Sequence, residues 1–194
     1  MLCVCVLRAR SCSCLQGGAL ELDLSYCVAD SEVLARLLSS LDGGGGGGRG
    51  GGGGGGGGEV ASSSGRLSLP LQRLNLAGCN VTSAAVEALV KCARRLVSLR
   101  LSRCLNRQAR CLDHRLILLT KLEFLEHLDI SLTACLSDAV VWQLLAKLER
   151  LRSLNLASCD GLSDDAFVAC RVASSHLCSL DVRYASYGSF LPVC

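Results

Sequence analysis

A leucine motif that recurs six times constrains the fold of this 194-residue chain more than any other feature. Its full form is LxxLxLxxC, and its copies begin at Ala19, Leu71, Leu96, Leu125, Leu151 and Leu177. From Leu71 onward, successive copies start 25, 29, 26 and 26 residues apart (71, 96, 125, 151, 177). A repeat of this length predicts an array of stacked units, because a single unit cannot bury its own apolar face.

Each copy of the motif predicts one strand followed by one helix. The apolar fourth and sixth positions alternate with polar residues, as in residues 74–76, so one face of the strand is buried. Helix-start signals follow at Thr82, Ser137-Asp138 and Ser163-Asp164. Their side-chain oxygens are expected to accept N–H groups of the first helical turn. Apolar residues at helical spacing come next, and Trp142 is expected to fill the core between helices.

The predicted fold class is therefore α/β. We expect a solenoid of about six repeats, with a curved parallel sheet inside and helices outside. The predicted segments are an unassigned cysteine-rich start (1–18), a first repeat (19–42), a glycine-rich low-complexity insertion (43–70) and the main array (71–194). The insertion is expected to be a flexible coil because glycine has no side chain to bury.

Two strings carry a resemblance to a known family. They are LQRLNLAGCNVTSAAVEALVKC (71–92) and LRSLNLASCDGLSDDAFVAC (151–170), each with a second cysteine near the end of its helix. They resemble the cysteine-containing class of leucine-rich repeats, which is related to the ribonuclease-inhibitor-like fold and is common in F-box substrate receptors. The resemblance implies a solenoid that binds other proteins.

The same resemblance implies a non-catalytic interaction module, the substrate-recognition part of an SCF-type ubiquitin ligase, with the ligase adaptor among its partners. An F-box would precede the repeats, and residues 1–18 alone precede the first copy here. The box is then expected upstream of this sequence, or the chain is an adaptor of another kind. The alternative function is a structural or scaffold component of a larger cytoskeletal or organellar complex.

The chain has 14 cysteines, and several occupy one position of the repeat. Cys27, Cys79, Cys104 and Cys159 each fall at the ninth residue of a copy, where a small buried side chain with a weak donor fits the turn. Structural thiols are therefore favoured over disulfides. Free thiols persist in reducing compartments, so the expected location is the cytoplasm or the nucleus.

No residue pattern predicts an enzyme, a metal or a cofactor. Cys3, Cys5, Cys12 and Cys14 form two CxC pairs, whereas zinc knuckles usually use CxxC, so the expected metal is none. His127, Asp129 and Ser131 alternate along one strand face. Residues two apart on a strand lie about 6.6 Å from one another, so no nucleophile-to-base hydrogen bond is expected there.

Charge and hydropathy argue against a nucleic-acid partner and a transmembrane segment. The net charge is +3, and the segment from Lys91 to Arg115 contains eight basic residues and one acid. Because that segment lacks an aromatic residue for base stacking, a nucleic-acid partner is disfavoured. There is no run of about 18 apolar residues, so no transmembrane segment is predicted.

The outward positions of the strands predict the functional surface. In each copy the third, fifth and seventh residues should face the concave side, and charges that line a concavity suit a polar peptide or a protein edge. The predicted partner-binding residues are Asp23, Arg73, Asn75, Arg100, His127, Asp129, Asn155 and Asp181. The competing interpretation is that Asp and Asn in the fifth column are simply residues that such repeats tolerate.

Overall fold

The structure is a computed structural model that describes residues 11–15, 19–27, 32–33, 36–37, 71–104, 116–133, 136–173 and 176–185. The predicted glycine-rich insertion lies outside the described residues, and so does the first CxC pair of the amino-terminal segment.

Within the described residues, seven strands form one sheet whose spatial order follows the chain. They are β1 Ser11–Leu15, β2 Ala19–Asp23, β3 Leu71–Asn75, β4 Ser98–Arg100, β5 His127–Asp129, β6 Ser153–Asn155 and β7 Ser179–Asp181. The strands from β2 to β7 are parallel, and each belongs to one copy of the motif. This arrangement confirms the predicted α/β leucine-rich repeat solenoid.

Strand β1 was not predicted from the sequence. It pairs antiparallel with β2, with Ser11 opposite Asp23 and Leu15 opposite Ala19. An uncovered edge strand presents unpaired N–H and C=O groups to which another chain can add. Part of the segment that the sequence left unassigned thus covers the first edge of the parallel sheet.

Three α-helices pack against the sheet: α1 Ser83–Cys92, α2 Asp138–Lys147 and α3 Asp164–Ala173. In the first repeat, residues 32–33 and 36–37 are also helical. The third unit departs from the predicted α-helix, since its described part holds a 3-10 helix, Ile117–Lys121. Leu116, Leu119 and Leu122 are fully buried at three-residue spacing, which matches the three residues per turn of a 3-10 helix.

The apolar core lies between the sheet and the helices. The fourth-position leucines pair in register across neighbouring strands, from Leu74 through Leu99 and Leu128 to Leu154, and each is at most 2% exposed. Trp142 is 39% exposed, so the prediction that it fills the core is wrong. The buried side of α2 holds residues 140, 141, 144 and 145. At about 100° per residue, Trp142 falls on the outer flank of that helix.

The predicted helix caps form at one site and fail at two. Ser163 Oγ accepts a hydrogen bond from the N–H of Asp165 at 3.2 Å. Neither Thr82 nor Ser137 makes a side-chain cap hydrogen bond to its helix. The Asp138 carboxylate instead accepts from Ser163, at 2.9 Å from the backbone N and 2.5 Å from Oγ. This acid therefore joins the starts of α2 and α3.

In each repeat, the chain leaves the strand through a residue with left-handed backbone geometry. These residues, at the eighth position of each copy, are Tyr26, Gly78, Arg103, Leu132, Ser158 and Tyr184, with φ between 56° and 72°. The N–H groups of the first five reach forward to the next repeat, as from Leu132 to the Ala157 carbonyl at 2.8 Å. The strained geometry thus extends the ladder of hydrogen bonds between repeats beyond the strands. Only one of the six is glycine, and an added Cβ there would lie 2.5 Å from Cδ1 of Tyr26.

The ninth-position cysteines also link neighbouring repeats. Cys79 Sγ donates to the Leu24 carbonyl at 3.0 Å, and Cys104 Sγ donates to the Leu76 carbonyl at 2.7 Å. Each acceptor belongs to the sixth position of the preceding repeat. The same Leu76 oxygen accepts the backbone N–H of Cys79 at 3.0 Å, so the thiol fills the second acceptor site of a carbonyl at the turn.

These thiols are free and buried, as predicted for Cys79, Cys104 and Cys159, whereas Cys27 is half-buried. Desolvation by burial raises the pKa of Cys104 to about 12 and that of Cys159 to about 11, so both stay protonated donors at neutral pH. The link is absent where threonine replaces cysteine, because Thr133 Oγ1 donates to Ile130 of its own repeat at 2.7 Å.

The left-handed turn at Leu132 predicts a stabilising substitution. Asn tolerates positive φ better than leucine, so Leu132→Asn should raise the free energy of unfolding by about 0.5 to 1 kcal/mol. Leu132→Ala is the matched control, because it removes the same exposed side chain without adding the polar group that lets asparagine adopt positive φ. Urea unfolding followed by circular dichroism measures both, and equal stability of the two variants would contradict the role given to the turn.

The raised thiol pKa values predict that stability falls in alkali. Between the ordinary cysteine pKa of 9.0 and the folded value of about 12, the unfolded chain loses the Cys104 proton while the folded chain keeps it. The unfolded state then binds fewer protons, so the free energy of unfolding drops as pH rises, by up to about 1.4 kcal/mol per pH unit for each thiol.

Cys104→Ser serves as the control, since the hydroxyl keeps a donor for Leu76 but does not titrate in this range. Urea melts at pH 7, 9 and 10.5 should show a smaller loss for this variant than for the wild type. Identical losses would show that this thiol titrates alike in the folded and unfolded chains.

Candidate binding surface on the concave face

The strand register arranges the outward residues in two rows across the sheet. The first row contains the third residue of each copy, and Glu21, Arg73, Ser98, His127 and Ser153 pair successively along it. The second row contains Asp23, Asn75, Arg100, Asp129, Asn155 and Asp181 in the same order. Both rows follow from the period-two alternation of the strands, which places all of these side chains on one face.

These rows line a hollow of about 450 Å³ on the concave face. Seven of the eight predicted partner-binding residues line it, namely Asp23, Arg73, Asn75, Arg100, His127, Asp129 and Asn155. Asp181, on β7, is not among its lining residues. Three lining residues of the first row, Glu21, Ser98 and Ser153, were missing from the predicted set. Their position in the same column as Arg73 and His127 could have identified them.

The Asp and Asn side chains of the second row bond to their own backbone. In five repeats the Oδ1 atom accepts the N–H two residues ahead, at 2.8 to 3.1 Å: Asp23 from Ser25, Asn75 from Ala77, Asp129 from Ser131, Asn155 from Ala157 and Asp181 from Arg183. This is the Asx turn, which Asp and Asn form readily. It leads directly into the left-handed turn residue, so these side chains have a structural role whatever else they contact.

Arg100 interrupts this row. A guanidinium has no acceptor and cannot form an Asx turn. Arg73, Arg100 and His127 are exposed and make no ion pair or side-chain hydrogen bond within the part of the chain that is described. Asp129, which is paired with Arg100 across the strands, has an Oδ1 that accepts hydrogen bonds from Ser131 instead. The hollow therefore holds cationic groups without internal partners.

The set His127, Asp129 and Ser131 differs from the prediction in one respect. Ser131 Oγ does donate to Asp129, at 2.7 Å, because the Asx turn bends the carboxylate toward the end of the strand. Strand spacing alone had predicted no such bond. Ser131 is only 6% exposed, and Asp129 Oδ1 also accepts its backbone N–H. The hydroxyl is thus part of the turn and presents little surface to a substrate.

The basic cluster between residues 91 and 115 does not lie on one face. Arg100 is on the concave side, Lys91 is in the last turn of α1, and Arg94 and Arg95 are exposed after that helix. Residues 105–115, which contain the remaining basic side chains apart from Arg103, lie outside the described residues. The described part shows a single pair of arginines facing the hollow, Arg73 and Arg100.

Within the described ranges, no group of three His, Cys, Asp or Glu side chains is placed to hold a metal ion. No helix in those ranges is long and apolar enough to cross a bilayer.

Comparisons with known proteins bear on the repeat and its fold. A leucine-rich repeat family matches residues 68–90, which contain β3 and most of α1. No curated protein gives a significant match. Eleven chains of solved structures match, among them a crystal structure of a TLR13–ssRNA13 complex. That similarity has 23% identity and a TM-score of 0.42, and it covers 60% of this chain and 20% of the other. The chain thus contains a leucine-rich repeat by sequence as well as by structure.

The Asx turn predicts unequal effects of two substitutions at one position. Asp129→Ala leaves the N–H and the hydroxyl of Ser131 without their acceptor, which should lower the free energy of unfolding by about 1 to 3 kcal/mol. Asp129→Asn should stay close to wild type, because Asn75 and Asn155 form the same turn. Denaturant unfolding measures both, and equal losses for the two variants would contradict the assignment.

Proposed function

We propose that this chain is a non-catalytic module that binds another protein through the concave face of its sheet. The observation that carries the proposal is the hollow of about 450 Å³, in which exposed Arg73, Arg100 and His127 have no partner among the described residues. Charged groups left unpaired in a concavity favour a polar partner over an apolar small molecule. The eight residues predicted from the sequence are kept as contacts in this proposal.

The partner-contacting atoms divide into two groups. Side chains of the first row, together with Arg100, extend from the strands without an internal role and would supply specificity. Asp and Asn of the second row already accept one backbone N–H each, so they would contribute their remaining oxygen or nitrogen atoms. Asp181 differs, because the Arg183 guanidinium donates to both of its carboxylate oxygens. Substitutions in the first row should therefore change binding with little effect on folding.

The finer proposal is that the module recognises substrates for an SCF-type ubiquitin ligase. It is supported by the resemblance of residues 71–92 and 151–170 to cysteine-containing repeats. The alternative is a scaffold role in a cytoskeletal or organellar complex, which a stacked array of repeats would serve equally well. In both cases the free buried thiols favour a reducing compartment, so the proposed location is the cytoplasm or nucleus.

Site-specific photocrosslinking tests the binding face. A benzoylphenylalanine at Ser98 or Ser153 lies in the hollow, whereas the same residue at Glu87 or Gln143 lies on an exposed helix position and serves as the matched control. Irradiation in cell extract should give discrete crosslinked proteins from the hollow and not from the helices. Crosslinks from the helix positions alone would reject the concave face as the binding surface.

Mass spectrometry of the purified complexes then separates the two cellular roles. Enrichment of the ubiquitin ligase adaptor with this protein would support substrate recognition. Enrichment of cytoskeletal or organellar assembly components without that adaptor would support the scaffold instead.

A further inference from the structure

The charge on the concave face is negative on β2, positive on β3 and β4, and negative again at Asp129 on β5. Glu21 and Asp23 lie on β2, whereas Arg73 lies on β3 and Arg100 on β4. Along any one of these strands the sign stays the same. A ligand that lies parallel to the strands would meet one kind of charge, and a ligand that crosses them would meet both.

We propose that the hollow binds an extended segment of a partner polypeptide that crosses the strands, with an anionic side chain held between Arg73 and Arg100 and a cationic side chain two residues away over Glu21 and Asp23. This inference rests on the proposed protein-binding function, because it uses the same face. It adds the chemistry of the partner segment and its direction across the sheet.

The two arginines are placed to share one anion. Arg73 is paired with Ser98, and Arg100 is the residue two beyond Ser98 on the same strand, so the two side chains are diagonal neighbours on one face. Diagonal neighbours across a strand pair are about 8 Å apart at Cβ, within reach of two long side chains converging on one group. Ser98 between them is small and leaves the space open. Guanidinium groups bind carboxylate and phosphate oxygens in a fork, with two N–H donors each.

Neighbouring acidic side chains compete only weakly with an incoming anion for these two arginines. Asp129 is paired with Arg100 and Glu21 with Arg73 across the strands, but no ion pair joins either of these pairs among the described residues. Asp129 Oδ1 is engaged by the backbone N–H and the hydroxyl of Ser131. An incoming anion therefore does not have to displace an existing salt bridge.

The spacing of the charges matches that of an extended peptide. From β2 to the midpoint between β3 and β4 is one and a half strand spacings, which at about 4.8 Å each is about 7 Å. In an extended chain, side chains two residues apart point to the same side and lie about 6.6 Å apart. A segment with the pattern cation, any residue, anion therefore places one charge over each half of the hollow.

The test begins with a randomised peptide library selected on the protein as it exists, at physiological salt. Selected peptides should carry Asp or Glu two residues from Lys or Arg. The variant Arg73→Glu/Arg100→Glu should weaken the selected peptides at least about tenfold in fluorescence anisotropy. Peptides in which the acid is replaced by lysine should regain affinity for that variant. Arg94→Glu/Arg95→Glu is the matched control, because it changes net charge equally at exposed positions outside the hollow.

Glu21→Lys tests the other half of the hollow and should weaken binding only through the cationic residue of the peptide. Selection of peptides without this charge pattern, or equal losses in the two double variants, would overturn the proposal. If such peptides still crosslink to Ser98 and Ser153, the protein-binding function stands and only the charge-paired mode fails. If selected peptides crosslink to the helix positions alone, both fail.

Carboxylate and phosphate could each supply the anion, and synthetic peptides distinguish them. Glutamate and phosphoserine versions of one selected peptide are compared, with the glutamine and serine versions as neutral controls. If either anionic peptide binds more tightly than its neutral control, the result supports the proposal and identifies which group supplies the anion. Equal affinity of all four peptides would overturn it.

Discussion

The carbonyl group of the sixth residue in each repeat is the point on which the stacking depends. It lies where the chain leaves the strand, and at Leu76 it accepts both the N–H of Cys79 at 3.0 Å and the thiol of Cys104 at 2.7 Å. The first bond closes the turn within a repeat, and the second joins that turn to the next repeat. The carbonyl already accepts an N–H, so the thiol adds a second hydrogen bond worth up to about 1 kcal/mol, and a small donor at the ninth position stabilises every interface where it occurs. The turns hold the strands in one register, and this register sets the regular spacing of the side chains on the concave face.

Most of the fold follows from periodicity, and most of what the sequence missed depends on side-chain conformation. Leu74, Leu99 and Leu128 repeat in phase, so the strands, their register and the residues of the hollow could be predicted. The three-residue spacing of Leu116, Leu119 and Leu122 was also present in the sequence and could have predicted the 3-10 helix. Trp142 was misplaced because its helix buries two adjacent rows of residues, and the tryptophan lies just beyond them.

The Asx turns show why residue type alone does not define a site. Asp129 and Asn155 face the hollow as predicted, but their Oδ1 atoms bond to the backbone ahead, which no spacing rule reveals. A carboxylate on a concave face can thus be retained for the turn that it caps. Arginine in the same column cannot serve that turn, so the appearance of Arg100 among Asp and Asn is the stronger functional signal. Strand β1 was missed because SCSCL, although it alternates in polarity, lies outside the repeated motif from which the other strands were predicted.

Threonine takes the place of the repeat's cysteine at position 133, so one interface between repeats lacks the thiol link. In a solenoid each unit contacts only its neighbours, so cohesion is a sum over individual interfaces. The interface between β4 and β5 lacks the thiol link, since Thr133 bonds within its own repeat, and it also adjoins the unit with the 3-10 helix. The interface between β6 and β7 also lacks this link, because Ala185 occupies the ninth position of the last copy. Arg100 and His127 stand on opposite sides of the interface between β4 and β5, so bending there would widen or narrow the central part of the hollow.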